Sequence, residues 1–190
     1  MPKCRNCKAQ YTRTQTMQTW CSIDCAIAIA RTAQRKAYDK ETRRLKHERN
    51  AKDKDYWEDK AKTACHKYIR ERDVDLPCIS CGRFHGGQYH AGHYRPSGVN
   101  SAVRYDARNI HKQCAPCNNN KSGNLTEYRK SLIDKVGVEV VEWLDNNHEV
   151  KRWTIAELQQ VEAMYKDALN RLKAMRADGM IGYIEVVSYD

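Results

Sequence analysis

Cys78, Cys81, Cys114 and Cys117 form two Cys-x2-Cys pairs separated by 32 residues. This is a zinc spacing, because four thiolates around one tetrahedral ion close a compact unit. A tetrathiolate zinc keeps no open coordination position, so it does no hydrolysis itself. Yet the same stretch carries His85, His90, His93, Asn109 and His111, and Asn118 follows the last cysteine directly. Hydrolysis of a phosphodiester needs a base to activate water and a divalent cation at the scissile phosphate. His93 is the candidate base, since imidazole titrates near neutral pH. His90, on a strand, and Asn118, at the start of a helix, are the candidate ligands of one catalytic Mg²⁺ or Mn²⁺ ion. Arg95, Lys112 and Lys121 are placed to meet phosphate oxygens, the arginine as a bidentate fork. The stretch therefore reads as a structural zinc with a second, hydrolytic site beside it.

A second four-thiolate set lies near the N-terminus: Cys4-x2-Cys7, 13 residues, then Cys21-x3-Cys25. Tyr11 and Trp20 are available to pack over so small a unit, and a second structural zinc is expected there. Arg5, Lys8 and Arg13 make this finger a candidate DNA contact. Cys65 is left over after two sets of four and reads as a small buried residue on a helix. Of the remaining histidines, His85 reads as a turn residue and His66 and His148 as surface residues. His111 is open between a hydrogen bond inside the module and metal ligation. The scattered tyrosines form no stacking platform for single strands.

The elements that position these residues follow from pattern. The 190 residues include one Phe and 31% charged residues. Small zinc-stapled units joined by polar helices suit that composition better than one large core. Residues 26–72 contain 15 basic and 8 acidic residues, and residues 125–190 contain 9 and 12. The net charge of +10 is the sum of +13 over residues 1–124 and −3 over residues 125–190, so a polyanionic partner is expected for the front of the chain, most simply nucleic acid. Nine cysteines without a signal-peptide pattern point to thiolate metal ligation in a reducing, cytoplasmic setting. No apolar run approaches the roughly 20 residues of a membrane span.

Five segments are expected: a finger over 1–25, a basic helical region over 26–72, the central module over 73–124, helices over 125–179, and a tail over 180–190. The stretch after Ala26 is helix-forming with little apolar face beyond Ile27, Ile29 and Leu45. Its basic residues, Arg43 and Arg44 among them, can follow a phosphate backbone or the helix can pair with a partner chain. Residues 55–73 form a better amphipathic helix, with Trp57, Ala61, Ala64, Tyr68 and Ile69 packing on the zinc module. In that module 88–95 and 103–111 read as extended arms, and 118–121 opens a helix. Thr154 and Glu157 make a capping box. The helix they open carries Leu158, Val161, Tyr165, Leu169, Leu172 and Met175 on one face, for core packing or a dimer contact. The tail reads as an edge strand or a loose end.

The pattern Gly92-His93-Tyr94-Arg95-Pro96, then Asn109-Ile110-His111-x2-Cys114-x2-Cys117-Asn118-x2-Lys121, resembles the HNH (ββα-metal) nucleases. More narrowly, RERDVDLPCISCG, AGHYRP and NIHKQCAPCNNNKSGNL resemble the NinG (Rap) recombination endonucleases of lambdoid phages, over most of the chain. The layout is also similar to phage endonuclease VII, a junction resolvase. The resemblance implies an α+β fold: a zinc-stapled, treble-clef-type ββα-metal module flanked by helices, with an N-terminal four-cysteine finger. It implies a structure-specific endonuclease for Holliday junctions and D-loops, acting in the bacterial host beside phage or host recombination proteins. In that frame His93 is the general base, Asn118 a catalytic-metal ligand and Asn109 a clamp on the hairpin loop. Where the relatives tend to carry Asp three residues before the catalytic histidine, this chain has His90. Imidazole attracts Mg²⁺ poorly and prefers softer ions. Either the metal preference has shifted, or His111 or Asp106 serves as the second ligand. Paired nicks on a junction favour a symmetric homodimer, with the basic helix or the 154–177 helix as its contact. The competing class is a zinc module that binds DNA without cutting it, and an RNA-directed nuclease is a third.

Overall fold

The computed structural model describes residues 1–187; positions 188–190 of the expected tail lie outside the described residues. The chain divides into two compact units, Met1–Lys52 and Asp53–Asp190. The helical stretch 26–72 is thereby split, since its second half carries the apolar stripe that its first half lacks.

In the first unit, Cys4, Tyr11 and Cys25 form a miniature core with Trp20 packed against it. Gln18 Oε1 accepts from Thr14 N at 2.8 Å, and Tyr11 donates its hydroxyl to the Gln18 carbonyl. Helix α1 (Ile23–Ala51) starts where the Ser22 side chain accepts from Cys25 N. Residues 30–49 of α1 are exposed throughout.

The second unit is built around helix α2 (Lys54–Arg72), N-capped by Asp53. Its Ala61, Ala64, Cys65, Tyr68 and Ile69 are buried between two partners. One is helix α5 (Ile155–Ala177), which contributes Leu158, Tyr165, Ala168 and Leu172; the other is a β-hairpin contributing Ala91 and Ile110. The Thr154–Glu157 capping box opens α5 as its sequence dictates. Of the two uses expected for that apolar face, core packing is the one seen here. Helices α3 (Leu125–Val136) and α4 (Val138–Asn146) meet at Gly137 and enclose a second core of Tyr94, Val103, Tyr128, Leu132, Val141 and Leu144.

The sheet has two strands, β1 (Tyr89–His93) antiparallel to β2 (Ile110–Cys114), with Gly92 opposite His111 and His93 opposite Ile110. Residues 103–109 are not extended as expected. Short 3₁₀ turns occupy Ser101–Val103 and Ala107–Asn109, and the Asp106 side chain caps the second by accepting from Arg108 N at 2.8 Å. Nor does a long helix open at Asn118. A single wide turn, Pro116–Asn120, is stopped by the left-handed backbone of Ser122, Gly123 and Asn124 before α3 begins. Residues 180–187 form no strand, but Ile184 is buried and Glu185 accepts from Arg72 Nη1 at 3.0 Å. Taken together the fold is mixed α/β with two four-cysteine clusters.

Arg72 joins these parts. Fully buried at the end of α2, it donates to the carbonyls of Ala107 and Ile110 at 2.9 and 2.8 Å and pairs with Asp73. Asp73 in turn accepts from Lys112 N at 3.0 Å and pairs with Lys135 at 2.9 Å. Burial works to raise the Asp73 pKa, but Arg72 and Lys135 beside it hold the carboxyl well below the usual carboxylate range. The hairpin's second strand is thus fixed to α2 through paired charges.

Candidate functional site

The sulfurs of each cysteine quartet lie within 4.8 Å of one another. Cys7 and Cys21 stand 3.4 Å apart, Cys21 and Cys25 3.6 Å, and Cys81 and Cys114 4.0 Å. Zn–S bonds of about 2.3 Å in a tetrahedron place sulfurs about 3.8 Å apart, whereas a disulfide needs about 2.05 Å. N–H groups also point at the sulfurs: Asn6 Nδ2 at Cys25, 3.4 Å, Cys114 N at Cys78, 3.3 Å, and Asn124 Nδ2 at Cys117, 3.7 Å. Such donors favour thiolates. Both quartets can hold a zinc ion. Gly82 lets the first knuckle turn tightly, with φ at 66° and its N–H on the Cys78 carbonyl. His85 sits on this turn, Nε2 3.3 Å from Cys81 Sγ and backbone N donating to the Tyr89 hydroxyl.

Beside the Cys78–Cys117 quartet lies a cleft of about 510 Å³. His90 and His93 from β1 and Asn118 from the wide turn line one side; Glu58, Asp59, Lys62, His66 and Arg70 from α2 line the other. His93 Nε2 is 2.9 Å from the Arg104 carbonyl oxygen. A carbonyl only accepts, so Nε2 carries the proton and Nδ1 is the basic nitrogen. Burial lowers the His93 pKa and keeps the ring neutral at pH 7, the carbonyl contact opposing that shift in part.

Asn118 Nδ2 donates to Asn119 Oδ1 at 2.8 Å, leaving its own Oδ1 as the free acceptor. That oxygen faces the strand where the strand has no side chain. A Cβ on Gly92 would come within 3.0 Å of Asn118 Oδ1 and 2.2 Å of Gln113 Oε1. The glycine is what lets Asn118 close against β1. Tyr128 donates its hydroxyl to the Gly92 carbonyl at 2.9 Å from behind.

Asn109 is fully buried and holds the loop after β1: its Oδ1 accepts from Arg95 N at 2.7 Å, and its Nδ2 donates to the carbonyls of Arg95 and Val103. His111 and Asp106 lie outside the cleft lining. His111 is buried against the Tyr128 hydroxyl, Nδ1 at 3.2 Å, and Asp106 is engaged by Arg108 at 2.7 Å. Lys112 does not reach phosphate. β2 is buried along its whole length, and the Lys112 ammonium is turned inward onto the Val74 carbonyl at 2.7 Å and over the Tyr89 ring. Arg95 also lies outside the cleft lining, its Nη2 3.5 Å from His148 Nδ1. Lys121 is exposed just past the wide turn. Arg43 and Arg44 are exposed on α1 of the first unit, Arg44 in ion pairs with Glu41 and Glu48.

His66 is not a surface histidine. Its ring lies 5.7 Å from that of His93, and its pKa is pushed down to about 4, by burial first and then by the neighbouring charge of His93, Lys62 and Arg70. The signal for this wall was present as Glu58, Lys62, His66 and Arg70, four polar residues spaced four apart.

The sequence profile described as Bacteriophage Lambda NinG protein matches residues 1–175. The chain is 39% identical to Protein ninG of Escherichia phage lambda, covering 93% of this chain and 95% of that protein. It is 38% identical to the ninG proteins of Salmonella phage P22 and Escherichia phage 933W, in each case over 93% of this chain and 96% of the relative. No solved structure matches. A match of that extent takes in both cysteine quartets and every residue of the cleft, and it places this chain in the NinG family of lambdoid phage proteins.

Proposed function

We propose that the chain is a metal-dependent DNA endonuclease of the HNH type that cuts branched recombination intermediates such as Holliday junctions and D-loops. The observation that carries this reading is the meeting of His90, His93 and Asn118 in one cleft, against a zinc-binding quartet. The hairpin followed by the turn bearing Asn118 supports the ββα-metal comparison. The excess of basic residues in the first two thirds of the chain supports a nucleic-acid substrate.

In this reading His93 Nδ1 takes a proton from the attacking water while Arg104 holds the ring in place through Nε2. His90 and Asn118 would hold a divalent cation, which would supply positive charge to offset that of the scissile phosphate and the leaving oxygen. Their donor set, one imidazole and one amide oxygen, suits Mn²⁺ better than Mg²⁺. Two nicks of matching polarity call for two sites, so the active form is a homodimer. Its contact is α1, which is exposed along residues 30–49, or the face of α5 turned away from α2. A monomeric mass at micromolar concentration, with and without junction DNA, would exclude the dimer.

The test is cleavage of a synthetic four-way junction against matched linear duplex with Mg²⁺, Mn²⁺ or no added divalent ion. Symmetric, ion-dependent nicks confined to the junction are expected, faster with Mn²⁺. Tight junction binding with no nicks under any ion would replace this reading with a non-catalytic DNA-binding module.

A further inference from the structure

The wall of the cleft opposite β1 is electrically uneven along α2. At its N-terminal end stand Asp59 and Glu58, the latter already paired to Arg104 at 3.3 Å and to Lys54 at 3.5 Å. Toward the C-terminal end stand Lys62 and Arg70, with no ion pair among the described residues. Their Cα atoms are two turns apart, about 12 Å at 1.5 Å per residue. Arg70 also lines a second groove, of about 240 Å³, between α2 and α5, together with Lys67, Glu71, Leu169 and Lys173. The carboxylate there, Glu71, pairs with Arg176 at 3.6 Å. Lys67 and Lys173 have no ion pair among the described residues. Arg70 is thus the common wall of two adjoining concavities. In both, among the described residues, the cations without an ion pair outnumber the carboxylates without one, Lys62 and Arg70 against Asp59 in the first and Lys67, Arg70 and Lys173 against none in the second.

Resting on the nuclease reading, we propose that Lys62, Arg70, Lys67 and Lys173 form a phosphate track that receives the backbone of the cut strand on one side of the scissile bond. A phosphodiester backbone is drawn to the unpaired cations Lys62 and Arg70 rather than to the Glu58–Asp59 end, where Lys54 and Arg104 are already committed to Glu58. The strand therefore passes His93 and runs along α2 toward α5. None of these four residues touches the reacting atoms. They fix which phosphate sits at His93, which makes them positioning residues.

The experiment is fluorescence-anisotropy binding of a labelled four-way junction by the full chain in a His93→Ala background, without added divalent ion, from 50 to 200 mM salt. Each phosphate contact contributes a salt slope of about 0.9. Arg70→Ala and Lys173→Ala are each expected to lower the slope by about one and to weaken binding about five-fold at 0.15 M salt. Arg70→Lys and Lys173→Arg should retain the parent slope. Lys166→Ala, on α5 but ion-paired to Glu162 at 2.8 Å, should change neither quantity. Unchanged affinity and slope in the two alanine variants, with the parent binding, overturns the track alone. Binding lost in the alanine variants and not restored by the charge-conserving ones marks a structural role and also overturns it. A parent that does not bind, with a wild-type chain that does not cut, removes the nuclease reading and the track together.

Discussion

His93 Nε2 stands 2.9 Å from the carbonyl oxygen of Arg104, eleven residues further along the chain. One hydrogen bond settles both the tautomer of the imidazole and the direction of its basic nitrogen. The contact depends on the loop between the strands, which Asn109 holds with three hydrogen bonds. The His93 imidazole is therefore positioned by backbone and by a buried amide rather than by a carboxylate.

Gly92→Ala tests the packing of the cleft. A methyl group there meets Gln113 Oε1 at 2.2 Å and Asn118 Oδ1 at 3.0 Å. Overpacking of this kind costs about 1–3 kcal/mol, and Asn118 must retreat from the strand. Denaturant melts should show that loss, and cleavage should fall further than the lost folded fraction explains. Parent-like stability and cutting would show that Asn118 need not approach β1.

Metal content tests the two quartets. Purified chain should carry two zinc ions, and Cys117→Ser one, with early unfolding of the second unit. Cys65→Ala should keep both, since Cys65 is buried in the α2–α5 core with its thiol pushed up to about 12 by burial. Loss of zinc from Cys65→Ala would mean that the ligand assignment is wrong.

The Arg72–Asp73 pair should be costly to break. Asp73→Asn leaves a fully buried guanidinium short of its main counter-charge, at a cost of about 3–5 kcal/mol. Equilibrium unfolding of the variant measures it, and a change under 1 kcal/mol would show that Glu185 alone suffices to balance Arg72.

Acid should weaken the fold through His111. Burial, then Arg72 and Lys135, hold its pKa well below the ordinary value. Its Nδ1 is bound to the Tyr128 hydroxyl, and its Nε2 is buried without a hydrogen-bond partner. The unfolded chain takes up this proton near pH 6.5 and the folded chain does not. Stability from this group is thus complete above pH 6.5 and falls as pH drops, by up to about 1.4 kcal/mol per unit. His66 and His93, also lowered, act in the same direction. His111→Gln should reduce the slope of stability between pH 6.5 and 5 by about one proton; an unchanged slope would place the titration elsewhere.

What was legible in the sequence is what short spacing encodes. The cysteine quartets follow from ligand spacing, α5 from Thr154 and Glu157, and the break between α3 and α4 from Gly137. Lys112 was misread because Ile-His-Lys-Gln-Cys looks half solvated, while β2 is covered on both faces by elements distant in sequence. His66 was misread for the converse reason. Glu58, Lys62, His66 and Arg70 flank the apolar stripe of α2 and look like a solvated helix face until the hairpin is folded against them. The 3₁₀ turn at Ala107–Asn109 depends on the Asp106 cap, which competes with strand pairing at a range that alternation does not register.

The central claim is that His93 is the base of a nuclease, and it is tested most directly by one comparison. Wild type and His93→Ala are incubated with a four-way junction and Mn²⁺, and nicks and bound complex are scored in the same samples. The account predicts that His93→Ala binds the junction as tightly as wild type and nicks it at least a hundred-fold more slowly, as loss of a general base requires. Nicking by His93→Ala at the wild-type rate would contradict it.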